Sequence, residues 1–422
     1  MSNMGSDVKE GKKIGYRDVL GQRQYMKFMI ANLISRFGDS IDAIAFTWLV
    51  YQATGSAAWS AIIFAVNQLP GIIVQPFTGA LVENLDKKKI MVVTDAIRGV
   101  VVVVLAVLFL SGNINPWVLL GFTIIISTVE AFCMPAATAI IPKIIDLKYY
   151  EYGSSLSRTL STVVELVGMG IAGTIIGFFG IGTAIIIDGA TFFGSALVLA
   201  TLKVKEEHSV KGKVSSKEYF ENLKGGIKYL KKQPTIRNFC ILAVVANGII
   251  VPINALQSPM VSELMGQGPE FLSVFGISFT VCTGISALLF PKIHEHIPAR
   301  KLVVLSGCSV GIGAYALTLT QYFRTQIAMV YFITIAACFL MGAGVGLMSA
   351  TLNVQFMKHV QQEYLARVGA IFGAGALAAC PVVSFIVSGL ATYFSVGQIF
   401  TVSAVLCVIL FIIVGIKKVD LG

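Results

Sequence analysis

Charge is scarce in this chain. Only 13% of its 422 residues are Asp, Glu, Lys or Arg, 56% are hydrophobic, and the mean hydropathy is +0.81. A water-soluble fold has too little interior to hide that much apolar surface. Long alternating segments are lacking too. Runs such as GVVVVVLAVLFLSG after Arg98 do not switch polarity residue by residue, which argues against a membrane barrel. No GxxxxGK loop occurs, so ATP is not the expected energy source. The seven cysteines all fall inside apolar stretches with no paired spacing, and read as small packing residues rather than disulfides or metal ligands. Four histidines remain, His208, His294, His296 and His359, and all lie between the apolar stretches. The His294-Glu295-His296 run reads as a solvated loop.

What the chain has is apolar length. About 20 residues cross the hydrocarbon of a bilayer, and stretches of that order recur at 26–51, 57–81, 88–111, 117–142, 154–178 and 181–202, then at 237–261, 271–291, 301–320, 327–353, 366–391 and 396–416. Each must satisfy its own backbone polar groups in lipid, so helices are expected. The first stretch carries Arg36, Asp39 and Asp42, a poor signal-peptide core, and reads as a retained span. Lys and Arg (32 against 22 acids, net +10) gather in every second loop, with Arg324 the exception. That is the positive-inside pattern, and it puts both termini in the cytoplasm of a multi-pass protein of the cell membrane. The basicity therefore reports orientation and affinity for anionic lipid, not nucleic-acid binding.

The expected organisation is a cytoplasmic segment (1–25), a six-helix bundle (26–202), a linker (203–236), a second six-helix bundle (237–416) and a short tail (417–422). In the linker Phe220, Leu223, Ile227 and Leu230 recur at helical spacing among lysines, which reads as an amphipathic helix on the inner leaflet. The halves look like distant copies. PAATAIIPKIIDLKYYEYGSS before the fifth span resembles MSATLNVQFMKHVQQEYLARVGA before the eleventh.

Between the second and third spans lies Gly79-Ala-Leu-Val-Glu83-Asn84-Leu-Asp86-Lys87-Lys88-Lys89. It resembles the signature loop of the major facilitator superfamily, with Asn84 in place of an arginine and Asp86 in place of a glycine. The segments SRFGDSIDAIAFTWLVYQATGSA, PAATAIIPKII, AIIIDGATFF and VPINALQSPMV are similar to the bacterial group of macrolide-efflux pumps, siderophore exporters and drug:proton antiporters. The resemblance implies an all-α polytopic membrane protein of the major facilitator fold, with 12 transmembrane helices in two pseudo-symmetric six-helix bundles. It implies that the Gly79–Lys89 loop is a conformational latch and that Glu83 caps the start of helix 11 near Ala366. Helix 5 keeps Gly168, Gly170 and Gly173 but has Met169 where an antiporter motif often has proline. Helix packing is the simplest role for these glycines.

Ionisable groups within a span are expensive and are candidates for function. Helix 1 holds Arg36, Asp39 and Asp42, helix 4 holds Glu130, and helix 5 holds Glu165. The spans of the second half carry almost no charge, and their polar features are Asn247, Asn254 and Gln257. The resemblance implies that helices 1, 4, 7 and 10 line the cavity. Arg36, Asn247, Asn254 and Gln257 then belong to the substrate wall, and Asp39, Asp42, Glu130 and Glu165 are the proton-coupling candidates, since a carboxylate in an apolar cavity can exchange a proton near neutral pH. A structural Arg36–Asp39 ion pair is the competing reading. Asp95 and Arg98 are expected to brace the signature loop, and Asp188 to be a structural hydrogen-bonding group.

The expected activity is export of amphiphilic or lipophilic compounds such as macrolides by proton antiport, with sodium as the alternative ion. No cofactor, metal or partner beyond substrate and lipid is expected, and the protein is expected to be a monomer and not an enzyme. Two other readings stay open: a lysophospholipid transporter, suggested by LISRFGDSID, and a non-transporting receptor or scaffold.

Overall fold

The structure, a computed structural model, describes residues 15–74, 77–78, 82, 85–204, 228–230, 232–361 and 364–417. Among the described residues the regular elements are helices. After a short turn at Tyr16–Leu20 come α1 (Arg23–Thr54), α2 (Ala57–Ile73), α3 (Lys87–Leu110), α4 (Pro116–Ile144), α5 (Tyr150–Phe179) and α6 (Ile181–Ala200). The second half has α7 (Pro234–Ala255), α8 (Glu270–His296), α9 (Ala299–Thr318), α10 (Ile327–His359), α11 (Leu365–Ala391) and α12 (Val396–Ile416).

Ten of these are long and apolar enough to cross a membrane. The two others depart for local reasons: α1 carries Arg36, Asp39 and Asp42 within one stretch, and α2 has 17 helical residues. Large apolar side chains point outward along the bundle, with Phe178 and Leu288 each 81% exposed. Such a surface is stable only against lipid.

Local chemistry sets several helix starts. The side chains of Ser56, Asp86 and Asn115 accept hydrogen bonds from the backbone N–H of Trp59, Lys89 and Val118, capping α2, α3 and α4. Pro116 and Pro234 occupy first-turn positions, where their missing N–H costs nothing. Ser395 and Gln398 form a reciprocal capping box at α12.

Packing repeats from one half to the other. The pairs α1–α5, α2–α4, α3–α4 and α3–α6 recur as α7–α11, α8–α10, α9–α10 and α9–α12. The halves meet through α2 against α11 and α5 against α8, related pairs under the same exchange. The largest break in the symmetry is at one pair. Along its length α1 packs on α6, whereas α7 and α12 meet only slightly. The gap leaves an almost wholly apolar groove of about 840 Å³ between α7, α11 and α12.

At the end remote from the termini the halves are tied together. Tyr51 donates to Glu263 at 2.9 Å, Ser384 donates to the Ala61 carbonyl at 2.7 Å, and the Gly173 N–H donates to Ser273 at 2.9 Å. Any Cβ at Gly173 would collide with Ser273 and with the Glu270 backbone, so α5 and α8 can approach this closely only with glycine there. Gly168 packs on Ser40 and Gly170 on Ile277, while Met169 reaches Gly276. Arg324, the basic residue outside the alternating charge pattern, donates from Nε to the Leu264 carbonyl at 3.1 Å and from Nη2 to that of Glu263. It thereby holds the π-helical turn Met260–Met265 that presents Glu263 to Tyr51.

Most of the linker, and Gly79 and Glu83 of the signature loop, lie outside the described residues. In the described part Asp86, the cap of α3, also lies 3.6 Å from Lys89. Lys88 donates to the Leu202 carbonyl at 2.8 Å, and Lys87 is buried at the helix start. The His294–His296 run is the last turn of α8, not a loop: His296 Nδ1 lies 3.0 Å from the Lys292 carbonyl and His294 stacks on Phe290.

Candidate functional site

Two cavities lie one above the other in the first half of the molecule. The lower, about 740 Å³, is lined by α1, α3, α4 and α5 from Tyr25 and Ile141 at the terminal end up to Glu165. The upper, about 400 Å³, lies between α1, α2, α3, α4 and the end of α7, extending to Val50 and Gln257. Arg36, Asp39, Arg98 and Glu130 line both. A charged layer therefore separates the two chambers.

The pairing within that layer differs from the one-helix expectation. Arg36 and Asp39 are neighbours on α1 but do not pair. Arg36 Nη2 reaches Glu165 Oε2 on α5 at 2.8 Å, an ion pair with side chains 48% and 32% exposed. Asp39 Oδ1 is held by Arg98 Nη2 of α3 at 2.7 Å. Arg98 is thus a partner of the central carboxylate and not a brace for the signature loop. Its guanidinium lies 4.0 Å from the Phe192 ring centroid on α6, which adds a cation–π contact to a charge already withdrawn from water. Asp95, given the same bracing role by position, accepts instead from Ser195 of α6 at 2.6 Å. Asp188 is buried and its Oδ1 has no hydrogen-bond partner among the described residues, contrary to a purely structural bonding role.

The other candidates divide between sites. Asp42 faces the upper cavity, with Phe46 and Phe64 beside it and Asn254 and Gln257 opposite. Glu165 belongs to the lower cavity only. Asn247 is not in the central chamber: it donates to the Ala243 carbonyl one turn back at 3.0 Å and lines a separate cavity of about 160 Å³ between α7, α10 and α11. Among the described residues no group of three or more His, Cys, Asp or Glu is arranged to hold a metal ion. Arg98 and Asp188 were legible as rare intramembrane charges; what sequence spacing could not supply was their facing partners on other helices.

The upper cavity falls in the usual size range of small-molecule pockets, roughly 300–1,000 Å³. Its walls offer three carboxylates, Asp42 and the layer's Asp39 and Glu130, with two aromatic rings and the three amides Asn67, Asn254 and Gln257. That combination suits a molecule with an apolar body and a basic group better than a polyol, which needs many more hydrogen-bonding partners.

A model of the Major Facilitator Superfamily matches residues 28–380 of the chain. Macrolide efflux protein A of Streptococcus pyogenes is 22% identical over 92% of this chain and 95% of its own length. Multidrug efflux pump Tap of Mycolicibacterium fortuitum is 21% identical over 84% and 85%. Among solved structures, the nucleoside transporter NupG superposes with a TM-score of 0.72 over 93% of this chain and 99% of that one, at 11% identity. An inward-facing, unoccupied bacterial homologue of the lysosomal transporter Spinster gives 0.66 over 97% of both chains, at 12% identity. At these identities the structural likeness speaks for the fold alone.

Proposed function

The chain belongs to the Major Facilitator Superfamily, and from that premise we propose that it is a secondary exporter of amphiphilic, partly cationic small molecules, driven by proton antiport through alternating access. The observation that carries this reading is the upper cavity, where Asp39, Asp42 and Glu130 face Asn254 and Gln257 across an aromatic-lined space. Efflux relatives matched over most of their length support the direction of transport and the class of cargo. The positive-inside pattern supports a cytoplasmic location for both termini in the cell membrane. With that orientation, the far-end ties between Tyr51 and Glu263, Ser384 and Ala61, and Gly173 and Ser273 close the outer side, an inward-facing arrangement.

In this mechanism a carboxylate of the upper cavity holds either a proton or the basic group of the cargo, and the two halves rock to expose it to one side and then the other. Protons entering from outside displace the cargo, and their release inside lets the next molecule bind. Asp42→Asn and Glu130→Gln, each nearly isosteric, are expected to leave folded protein in the membrane. Both are expected to abolish ΔpH-driven movement of ethidium and erythromycin in everted vesicles. Wild-type-like ΔpH dependence in both variants would falsify the coupling role.

A second reading is favoured by the open groove between α7, α11 and α12, whose apolar walls suit an acyl chain. Transport of lysophospholipid but of neither drug in the same vesicles would establish a lipid carrier. Specific binding with no flux of any compound would instead identify a receptor built on this fold.

A further inference from the structure

Arg98 and Asp188 sit outside the proton-coupling set that the sequence suggested, yet they meet Asp39 where α1, α3 and α6 join. Arg98 lies between Asp39, bonded at 2.7 Å, and Phe192, stacked at 4.0 Å. Asp188 is one helical turn from Phe192 on α6, on the same face. It is 1% exposed, and its Oδ1 has no hydrogen-bond partner among the described residues. On the α1 side it abuts Gly38, the residue next to Asp39, where a Cβ would land on Asp188 Oδ1 and Thr191 Oγ1. Arg98 in turn keeps a buried Nε–H without a partner among the described residues. A donor and an acceptor are therefore both unsatisfied within one junction.

The surrounding charges limit what Asp188 can be. The charges near enough to act on it are Asp39 and Asp42 of α1 and Arg98 of α3. Asp95 of α3 and Glu130 of α4 also act on Arg98, Asp95 being hydrogen-bonded to Ser195. Glu165 of α5 is occupied by Arg36. One guanidinium cannot neutralise this many carboxylates in an apolar interior, and an ionised carboxylate with a buried oxygen left unbonded is disfavoured there.

We propose that Asp188 is a second seat for Arg98, and that one proton resides on whichever of Asp39 and Asp188 the guanidinium has left. As found, Arg98 holds ionised Asp39 and the proton is stored on Asp188, sealed from both chambers. When Arg98 swings to Asp188, the Asp188 O–H bond breaks and an O–H bond forms on Asp39, which lines both cavities and can exchange the proton with water or cargo. No oxidant or other reactant enters, and total charge is unchanged. Arg98 is a positioning residue in this scheme, and Asp188 a proton store. The scheme deepens the proton-antiport reading and rests on it for its use, not for its chemistry.

Infrared difference spectroscopy of the purified protein in lipid, at neutral pH in H₂O and D₂O, tests it directly. The wild type is expected to show a protonated-carboxyl C=O band that Asp188→Asn removes. Asp39→Asn, which frees Arg98 to pair with Asp188, is expected to remove the same band although Asp188 is intact. Because Asp39→Asn keeps Asp188, it decides the matter even if Asp188→Asn fails to fold. Persistence of the band in folded Asp39→Asn protein, or its absence from the wild type, overturns the swap. The coupling reading is judged separately by vesicle transport: a wild type indifferent to ΔpH removes antiport and leaves the infrared result standing.

Discussion

The two halves of this protein share a packing plan and almost nothing of their interior chemistry. The first half buries Asp95, Arg98 and Asp188 and lines its chambers with Arg36, Asp39, Asp42, Glu130 and Glu165. The second half lines its groove mostly with Val, Ile, Leu, Gly and Ala and contributes Asn254 and Gln257 as its polar groups in the central cavity. Helix packing explains why the plan can be shared, since ridges, grooves and small residues do not depend on charge. Charge explains the departure at α1–α6. Gly38 lets α1 close on α6, so that Asp188 is sealed from water and Arg98 is covered by Phe192. The groove beside the corresponding α7–α12 pair is lined by no charged residue, and that pair stays apart. Pseudo-symmetry in this fold is therefore a property of the backbone, and the division of chemical labour sits on top of it.

Removing the buried cation should break the comparison most forcefully. Arg98→Leu leaves Asp39 and its neighbours uncompensated and is expected to cost about 3–5 kcal/mol, read as a lowered melting temperature in mild detergent. Adding Asp39→Asn should recover much of the loss, since the stranded charge is then gone. In the second half, Gln257→Leu is expected to change stability by no more than about 0.5 kcal/mol while weakening cargo binding. Equal melting losses in the two variants would show that the charged half is no more dependent on its ions than the other half is on its amides.

The join between the halves comes next. Gly173→Leu drives a side chain into Ser273 and the Glu270 backbone, and overpacking of this kind costs about 1–3 kcal/mol. That is enough to shift the population away from the far-end-closed state. A cysteine introduced at Thr47, which lines the upper cavity, should then react faster with an impermeant maleimide added from the far side. Unchanged labelling would mean that α5 and α8 do not hold that end shut.

The smallest effect is expected where an ion pair is most visible. Arg36–Glu165 is short at 2.8 Å but half in water, and exposed pairs contribute about 0–1 kcal/mol. Glu165→Gln should melt within that margin of the wild type. A loss as large as that of Arg98→Leu would mean that the lower cavity is drier than its exposure indicates.

Much of the fold could be read from residues taken in order. The six spans of the second half begin within three residues of their expected starts and α12 matches at both ends, while α7 stops at Ala255 and α8 and α10 run on to His296 and His359. The central cavity was partly legible: Asp39, Asp42, Glu130, Asn254 and Gln257 do converge. Asn247 did not join them, because a helix residue with a polar side chain can satisfy itself on its own backbone, as it does at Ala243. Arg98 was given the wrong partner because its distance from the signature loop is visible in sequence, while the helix it faces is not.

Hydropathy is a property of some twenty consecutive residues, so the sequence by itself determined that this chain lives in lipid, how its helices are strung together, and which loops carry the positive charge. Pairing of ions depends on how each helix is rotated about its axis and on which neighbour it meets. Arg36 found Glu165 at a separation of 129 residues and Arg98 found Asp39 at 59, passing over the acids nearest in the chain. Only the tertiary structure could decide those contacts, because electrostatic energy follows distance and burial in space rather than order along the backbone.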